Sequence, residues 1–179
     1  DLGYLAIVGV ALVGIALWDV TARVGFLLGL VAGLACFVPT LSWSGIFVGK
    51  FPWFALATFE ALYVALMGAV LAAVQRPLLR AGHQLTAALL VPVLWVLQEW
   101  MRGTLPYGGF PWARLGVTQA SSPLADVASW TGMTGLSFLI AFACAAAAEC
   151  VRLQPWRDWR RAATTISGDR RPRWRAALT

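Results

Sequence analysis

The sequence predicts an all-α, polytopic transmembrane helix bundle of about five spans, with an irregular re-entrant or interfacial aromatic arm. The chain is 60% hydrophobic and only 12% charged, with a mean hydropathy of +0.73, whereas a soluble domain carries about 25% charged residues. Long apolar runs recur along it, and a stretch rich in glycine, proline and aromatic residues interrupts them. So apolar a chain has too little polar surface to face water on all sides.

Five apolar runs reach or approach the roughly 17–25 helical residues that cross a bilayer. We predict spans at residues 2–18, 24–48, 51–74, 85–100 and 127–150, which together form a transmembrane unit over residues 1–150. Residues 75–84 are predicted to be a basic turn. Residues 151–179 are expected to be a basic cytoplasmic tail that leads towards a further span, cut off at Thr179.

The second span carries Gly25, Gly29 and Gly33 at four-residue spacing, which places them on one helix face. Small residues in that pattern let a neighbouring helix approach closely. Pro39 is expected to kink the same span, because it lacks an N–H group and its ring obstructs the preceding turn.

The third span contains Glu60, an ionisable residue inside an apolar run. Such a group indicates function by default, because a partner must offset the loss of its hydration. The alternative is a protonated glutamic acid bonded to a backbone carbonyl or a hydroxyl. The sequence identifies no partner for it.

The basic residues predict the orientation of the bundle. Eight of the fourteen Lys and Arg residues lie in residues 151–179, and cytoplasmic flanks of membrane proteins are enriched in these residues. We therefore expect the tail and the turns with Arg23, Arg76 and Arg80 on the cytoplasmic side. Alternation of the spans then places residues 99–122 on the extracytoplasmic side.

Two other kinds of site are disfavoured. The isoelectric point of about 10.0 comes from the tail and not from a folded basic face, so we expect no nucleic-acid partner. The single histidine, His83, lies in a polar connector, and the three cysteines show no metal-ligand spacing. We therefore expect no metal and no cofactor.

One stretch combines charge, aromatic rings and turn residues. Glu99 and Arg102 fall at i and i+3 near the end of the fourth span, a spacing at which their side chains can pair. Irregular backbone at membrane depth survives only when it is buried in protein or lines a cavity. We expect an arm beside a lipid-accessible cavity, with an ordinary aromatic belt and loop as the alternative. The candidate lipid-binding residues are Glu99, Arg102, Tyr107, Gly109, Phe110, Pro111 and Trp112.

Several motifs in order resemble those of a known family. They are Glu99-Trp100-x-Arg102-Gly103, Gly109-Phe110-Pro111-Trp112, Leu115-Gly116 with Gln119, and Gly132-x-x-Gly135-Leu136-Ser137-Phe138-Leu139. With the glycines from Gly25 onward and Trp43, they resemble apolipoprotein N-acyltransferase over roughly residues 24–150.

The resemblance implies an acyltransferase of the bacterial plasma membrane. That family moves an acyl chain from a phospholipid donor to the N-terminal diacylglyceryl-cysteine of a lipoprotein, through a Glu-Lys-Cys triad in an extracytoplasmic nitrilase-like domain. We assign no residue to the triad, because the only lysine, Lys50, lies in a short turn and the cysteines lie in or beside apolar runs. We therefore expect that the nitrilase-like domain is missing from this chain. The resemblance implies that Glu99 and Arg102 shape the rim of the membrane domain, and that Gly109 to Trp112 form the arm near the point of lipid entry.

A second hypothesis belongs to another class of protein. Some relatives are joined to polyprenol-phosphate mannosyltransferase, so the chain could instead be a non-catalytic membrane scaffold that anchors such a partner enzyme. A transporter would show inverted repeats and ionisable groups at the midplane, and only Glu60 fits that pattern.

Overall fold

Helices make up all the regular structure in the computed structural model, which describes residues 3–153. The α-helices are α1 (Gly3–Ala16), α2 (Ala22–Thr40), α3 (Ser42–Val48), α4 (Lys50–Arg80), α5 (Gln84–Thr104) and α6 (Ala128–Leu153). Two short 3-10 helices, Leu115–Gln119 and Pro123–Val127, lie between α5 and α6. The all-α prediction is confirmed.

Within the described residues, four helical segments are long and apolar enough to cross a membrane: Ala22–Thr40, Lys50–Arg80, Gln84–Thr104 and Pro123–Val151. The first helix is apolar but has 14 residues, fewer than the roughly 17 at the lower end of membrane-spanning lengths. The predicted bundle of about five spans therefore consists of four long helices and one shorter one, as in a multi-pass membrane protein. Most of the predicted basic tail, residues 154–179, lies outside the described residues.

The span predicted over residues 24–48, with a kink at Pro39, consists of two helices in the structure, α2 and α3. The chain leaves helical geometry at Leu41 (φ −96°, ψ 8°) and starts the short α3. Pro39, two residues earlier, has no N–H for the helix ladder, and the Thr40 hydroxyl donates to the Cys36 carbonyl at 2.6 Å. The Trp53 indole N–H then donates to the Val38 carbonyl at 3.0 Å, which ties the end of α2 to α4.

Most of the predicted turn at residues 75–84 is helical in the structure. The fourth helix continues through Pro77 to Arg80, and Gly82 reverses the chain with φ 82°, a left-handed conformation that glycine adopts without strain. The last helix is interrupted near its start, where Gly132 has φ 68° and ψ 173°.

The second and fourth helices pack closely through glycine. A Cβ atom at Gly29 would lie 2.5 Å from the Val64 carbonyl oxygen, and one at Gly33 would lie 2.7 Å from the Ala61 Cα atom. Because these obstacles are backbone atoms, a side chain on that face would push the helices apart. The predicted close approach is confirmed, and α4 is the partner.

Buried apolar clusters also lie between the helices. One joins Val10 of α1 to Leu136 and Ile140 of α6. A second surrounds Phe37, at the end of α2, with the facing residues of α4. All residues of the candidate site described below fall within one compact unit, Asp1–Glu149.

Candidate functional site

A buried ion pair joins α4 to the end of α5. An Nη1 atom of Arg102 lies 3.1 Å from an Oε2 atom of Glu60, and the two side chains are each 2% exposed. Two charges removed from water are tolerated only when each finds a partner. Glu60 therefore has the partner that the sequence left unidentified.

The same guanidinium also holds the arm, which in the structure is the irregular segment of residues 105–114 between α5 and the first 3-10 helix. It donates to the carbonyl oxygens of Trp112 at 2.7 Å and Ala113 at 3.2 Å, and it lies 4.9 Å from the centroid of the Phe37 ring. A planar fork with five N–H donors suits this combination of a carboxylate and two carbonyls. Arg102 thereby links three helices to one irregular segment.

The pairing of Glu99 with Arg102 that their spacing allows is not formed, since Arg102 pairs with Glu60 instead. A Glu99 Oε1 atom accepts hydrogen bonds from the Leu115 backbone N–H at 2.7 Å and the Trp95 indole N–H at 3.1 Å. Both charged side chains face the protein interior, but the longer arginine reaches α4 while the glutamate meets the chain after the arm. Two side chains of α5 thus bind the segment from Trp112 to Leu115, with Arg102 at its start and Glu99 at its end.

The arm doubles back against the last turn of α5. The Phe110 N–H donates to the Arg102 carbonyl at 2.7 Å, and Gly109, at φ 68°, packs so closely that a Cβ atom there would overlap the backbone of Gly103 and Thr104. The Tyr63 hydroxyl donates to the Leu105 carbonyl at 2.7 Å, anchoring the start of the arm to α4. At position 109, only glycine can adopt the left-handed backbone conformation and also fit into so little space.

The arm presents an aromatic edge. The Trp112 ring contacts those of Trp43 and Phe110, with centroid distances of 5.9 Å and 6.2 Å, and is 59% exposed. Phe110 packs inward against the buried cluster around Phe37. Tyr107 projects away, fully exposed. Of the seven candidate residues, Glu99, Arg102, Gly109, Phe110 and Trp112 are thus brought together, whereas Tyr107 and Pro111 lie on the exposed side.

The residues after the arm are tied to the outer helices. The Gly116 N–H donates to the Ser137 hydroxyl oxygen at 2.9 Å, and the Gln119 side-chain amide donates to the Gly3 carbonyl at 3.0 Å. These residues belong to the motifs that carried the family resemblance. Their contacts show that the motifs fasten irregular backbone to α1 and α6.

Sequence reasoning missed Trp95 and Ser137 as anchors of this site. The pattern gave a signal for Trp95, which shares a helix face with Glu99 through its four-residue spacing. Ser137 belongs to the last motif of the family resemblance, but its contact with Gly116 was not predicted, because it joins residues 21 positions apart. The assembled site offers buried charge, satisfied backbone carbonyls and exposed indole and phenol rings, a combination suited to positioning an amphipathic lipid.

This chain is similar in sequence to known proteins over most of its length. The family model for the apolipoprotein N-acyltransferase N-terminal domain matches residues 1–146. This chain belongs to the apolipoprotein N-acyltransferase family. Every anchor of the site, from Gly3 to Ser137, falls within the matched residues.

Curated apolipoprotein N-acyltransferases give consistent matches. The protein of Geobacter metallireducens is 42% identical over 127 residues, covering 68% of this chain and 24% of the relative. That of Shewanella oneidensis is 36% identical over 150 residues, covering 76% and 28%, and that of Photobacterium profundum is 32% identical over 163 residues, covering 86% and 31%. The matched region thus spans about a quarter to a third of each apolipoprotein N-acyltransferase.

Proposed function

We propose that this chain is the membrane domain of an apolipoprotein N-acyltransferase, which moves an acyl chain from a phospholipid to the N-terminal diacylglyceryl-cysteine of lipoproteins. Family membership supports the reaction class. In this proposal a nitrilase-like domain carries the Glu-Lys-Cys chemistry, and the residues described above hold the lipid substrates in reach of it. The protein lies in a bacterial plasma membrane with residues 99–122 on the extracytoplasmic side.

The observation that carries the proposal is the pair of hydrogen bonds from Arg102 to the arm. Because the guanidinium is fixed by Glu60 and itself fixes the carbonyls of Trp112 and Ala113, the backbone that carries the exposed Trp112 ring is held at a set position, and the ring itself contacts Trp43 and Phe110. Indole rings favour the boundary between acyl chains and headgroups. A fixed ring of this kind can align a lipid chain without being ordered anew at each turnover.

The role of the arm is tested by Trp112→Ala in the native gene product. Loss of a central aromatic contact costs on the order of 1–2 kcal/mol of binding, so acyl transfer from a phospholipid to a diacylglyceryl lipopeptide is expected to fall roughly tenfold. The amount of protein in the membrane fraction should not change, since the ring is 59% exposed.

Trp130→Ala is the matched control, because Trp130 is 90% exposed and lies outside the arm. Equal activities of the two variants and the wild type, at equal expression, would contradict the role of the arm. A wild-type product that transfers no acyl chain but copurifies with a polyprenol-phosphate mannosyltransferase would support the scaffold hypothesis instead.

A further inference from the structure

A second candidate site lies at the opposite end of the bundle, away from the arm. A cavity of about 560 Å³ opens between the start of α2, at Thr21 and Ala22, and the end of α4, at Arg76, Pro77 and Arg80. Sixteen positions of α4 separate Arg76 from Glu60, which is about 24 Å along a helix. Pockets that take small ligands have volumes of roughly 300–1,000 Å³.

The charges around the cavity favour an anion. Arg76 pairs with Asp19 at 3.2 Å, with a side chain that is 35% exposed. The exposed Arg80 forms no ion pair with any residue in the described part of the chain. The N-terminal end of α2, capped by Thr21, faces the same cavity, and helix N-termini carry partial positive charge. Arg76, Arg80 and the start of α2 thus line the cavity, and the Asp19 carboxylate competes with an anionic ligand for Arg76.

The surface beside the cavity favours a lipid over a free anion. Leu66 and Val70 lie seven residues before Ala73 and Pro77 of the cavity lining, so they share a face of α4 with them. They are 53% and 47% exposed and form an apolar track that leads from the cavity along the membrane-spanning part of the helix. A ligand with a phosphate at one end and an acyl chain at the other would fit both features.

We propose that this cavity binds the phosphate of an anionic phospholipid, with Arg76 and Arg80 as the headgroup ligands and the α4 track beside one acyl chain. The charge pattern places this end on the cytoplasmic side, where the leaflet is rich in anionic lipids and basic pockets between helices bind their headgroups. The site is separate from the arm and requires no acyl transfer.

The test is native mass spectrometry of the purified gene product in detergent. The probes are phosphatidylglycerol and phosphatidylcholine with identical acyl chains, and inorganic phosphate as a competitor. We expect preferential retention of phosphatidylglycerol and about a fivefold loss of its affinity in Arg76→Gln or Arg80→Gln, from roughly 1 kcal/mol per arginine. Arg23→Gln is the matched control, because Arg23 is exposed in the first turn of α2 but does not line the cavity.

An opposite effect is expected from Asp19→Asn, which removes the carboxylate that competes for Arg76. Asparagine tolerates the left-handed backbone of this position (φ 50°), so the variant should fold and bind phosphatidylglycerol more tightly. Equal retention of the two lipids, an equal loss in Arg23→Gln, or a fall in Asp19→Asn would overturn the proposal. Displacement of the lipid by millimolar phosphate would do the same by showing a free-anion site.

Discussion

Burying the guanidinium of Arg102 costs free energy that only well-placed partners offset. Its Nη atoms have a carboxylate and two carbonyl oxygens within 3.2 Å, and a phenyl ring lies beneath it. Removing one partner of such a pair leaves the other charge buried without compensation. The stability of this end of the bundle therefore depends on the pair and not on either residue alone.

A double-mutant cycle with Glu60→Gln and Arg102→Met tests this dependence. Glu60→Gln is expected to lower the free energy of unfolding by about 3 kcal/mol. Arg102→Met is expected to lower it by more, because the arm carbonyls also lose their donor. The double variant should lose at least about 1 kcal/mol less than the sum. The measurement is equilibrium unfolding in detergent micelles.

Asp19→Asn is the control for that cycle. It removes a charge from the Asp19–Arg76 pair, whose aspartate side chain is 58% exposed, so it should cost less than about 1 kcal/mol. Strictly additive losses at Glu60 and Arg102 would show that the two residues act separately.

The sequence singled out Glu60, Glu99 and Arg102. Its local spacing allowed a pair between Glu99 and Arg102, whereas the structure pairs Glu60 with Arg102. Local spacing identifies residues on the same helix face, and Glu99 and Arg102 do share one. It contains no information on how α4 lies against α5, and the Glu60–Arg102 contact joins residues 42 positions apart. The partner of Glu60 therefore depends on packing that no local pattern encodes.

At the scale of elements, the contact of α2 with α4 depends on the absence of side chains. Gly29→Ala would place a methyl group 2.5 Å from the Val64 carbonyl oxygen, so the helices must separate. We expect a loss of about 1–3 kcal/mol in the free energy of unfolding, the usual cost of overpacking, together with a lower melting temperature in detergent.

Gly9→Ala provides the matched control in α1. A Cβ atom there meets nothing within 4 Å, so the higher helix propensity of alanine should leave stability equal or raise it by up to about 1 kcal/mol. A Gly29→Ala variant as stable as Gly9→Ala would contradict the close packing of the two helices.

Helices were predictable from sequence where apolar length alone defines them, as in α4 and α5. Their ends were not. Pro77 lies inside α4 although it was assigned to a turn, because a membrane helix can continue through proline when neighbouring groups satisfy the freed carbonyl. The arm's irregularity followed from Gly109 and its prolines, but its fixed shape comes from contacts with Tyr63 and Arg102 that span several helices.

For the whole molecule, orientation is the property that links the two candidate sites. If the arm is extracytoplasmic, Tyr107→Cys should react with a membrane-impermeant maleimide in spheroplasts, because position 107 is fully exposed. His83→Cys, in the turn between α4 and α5, should react only after the membrane is permeabilised. Both are made in a variant with alanine at Cys36, Cys144 and Cys150, and labelling is read by mass shift on a gel.

Labelling of His83→Cys in intact spheroplasts, with Tyr107→Cys protected, would reverse the orientation. The cavity at Arg76 and Arg80 would then face the outer leaflet, and the arm the cytoplasm. Permeabilised membranes control for reactivity, since both thiols must label there.

The long sequence separation of the Glu60–Arg102 pair has a consequence for biogenesis. Arg102 is synthesised 42 residues after Glu60, a delay of roughly 2–8 s at 5–20 residues per second. Until then, α4 holds a carboxyl group without its counter-ion, and its apolar residues alone must drive its insertion into the bilayer. Helix docking follows insertion, so the arrival of α5 both gives Glu60 its counter-ion and gives the arm its shape.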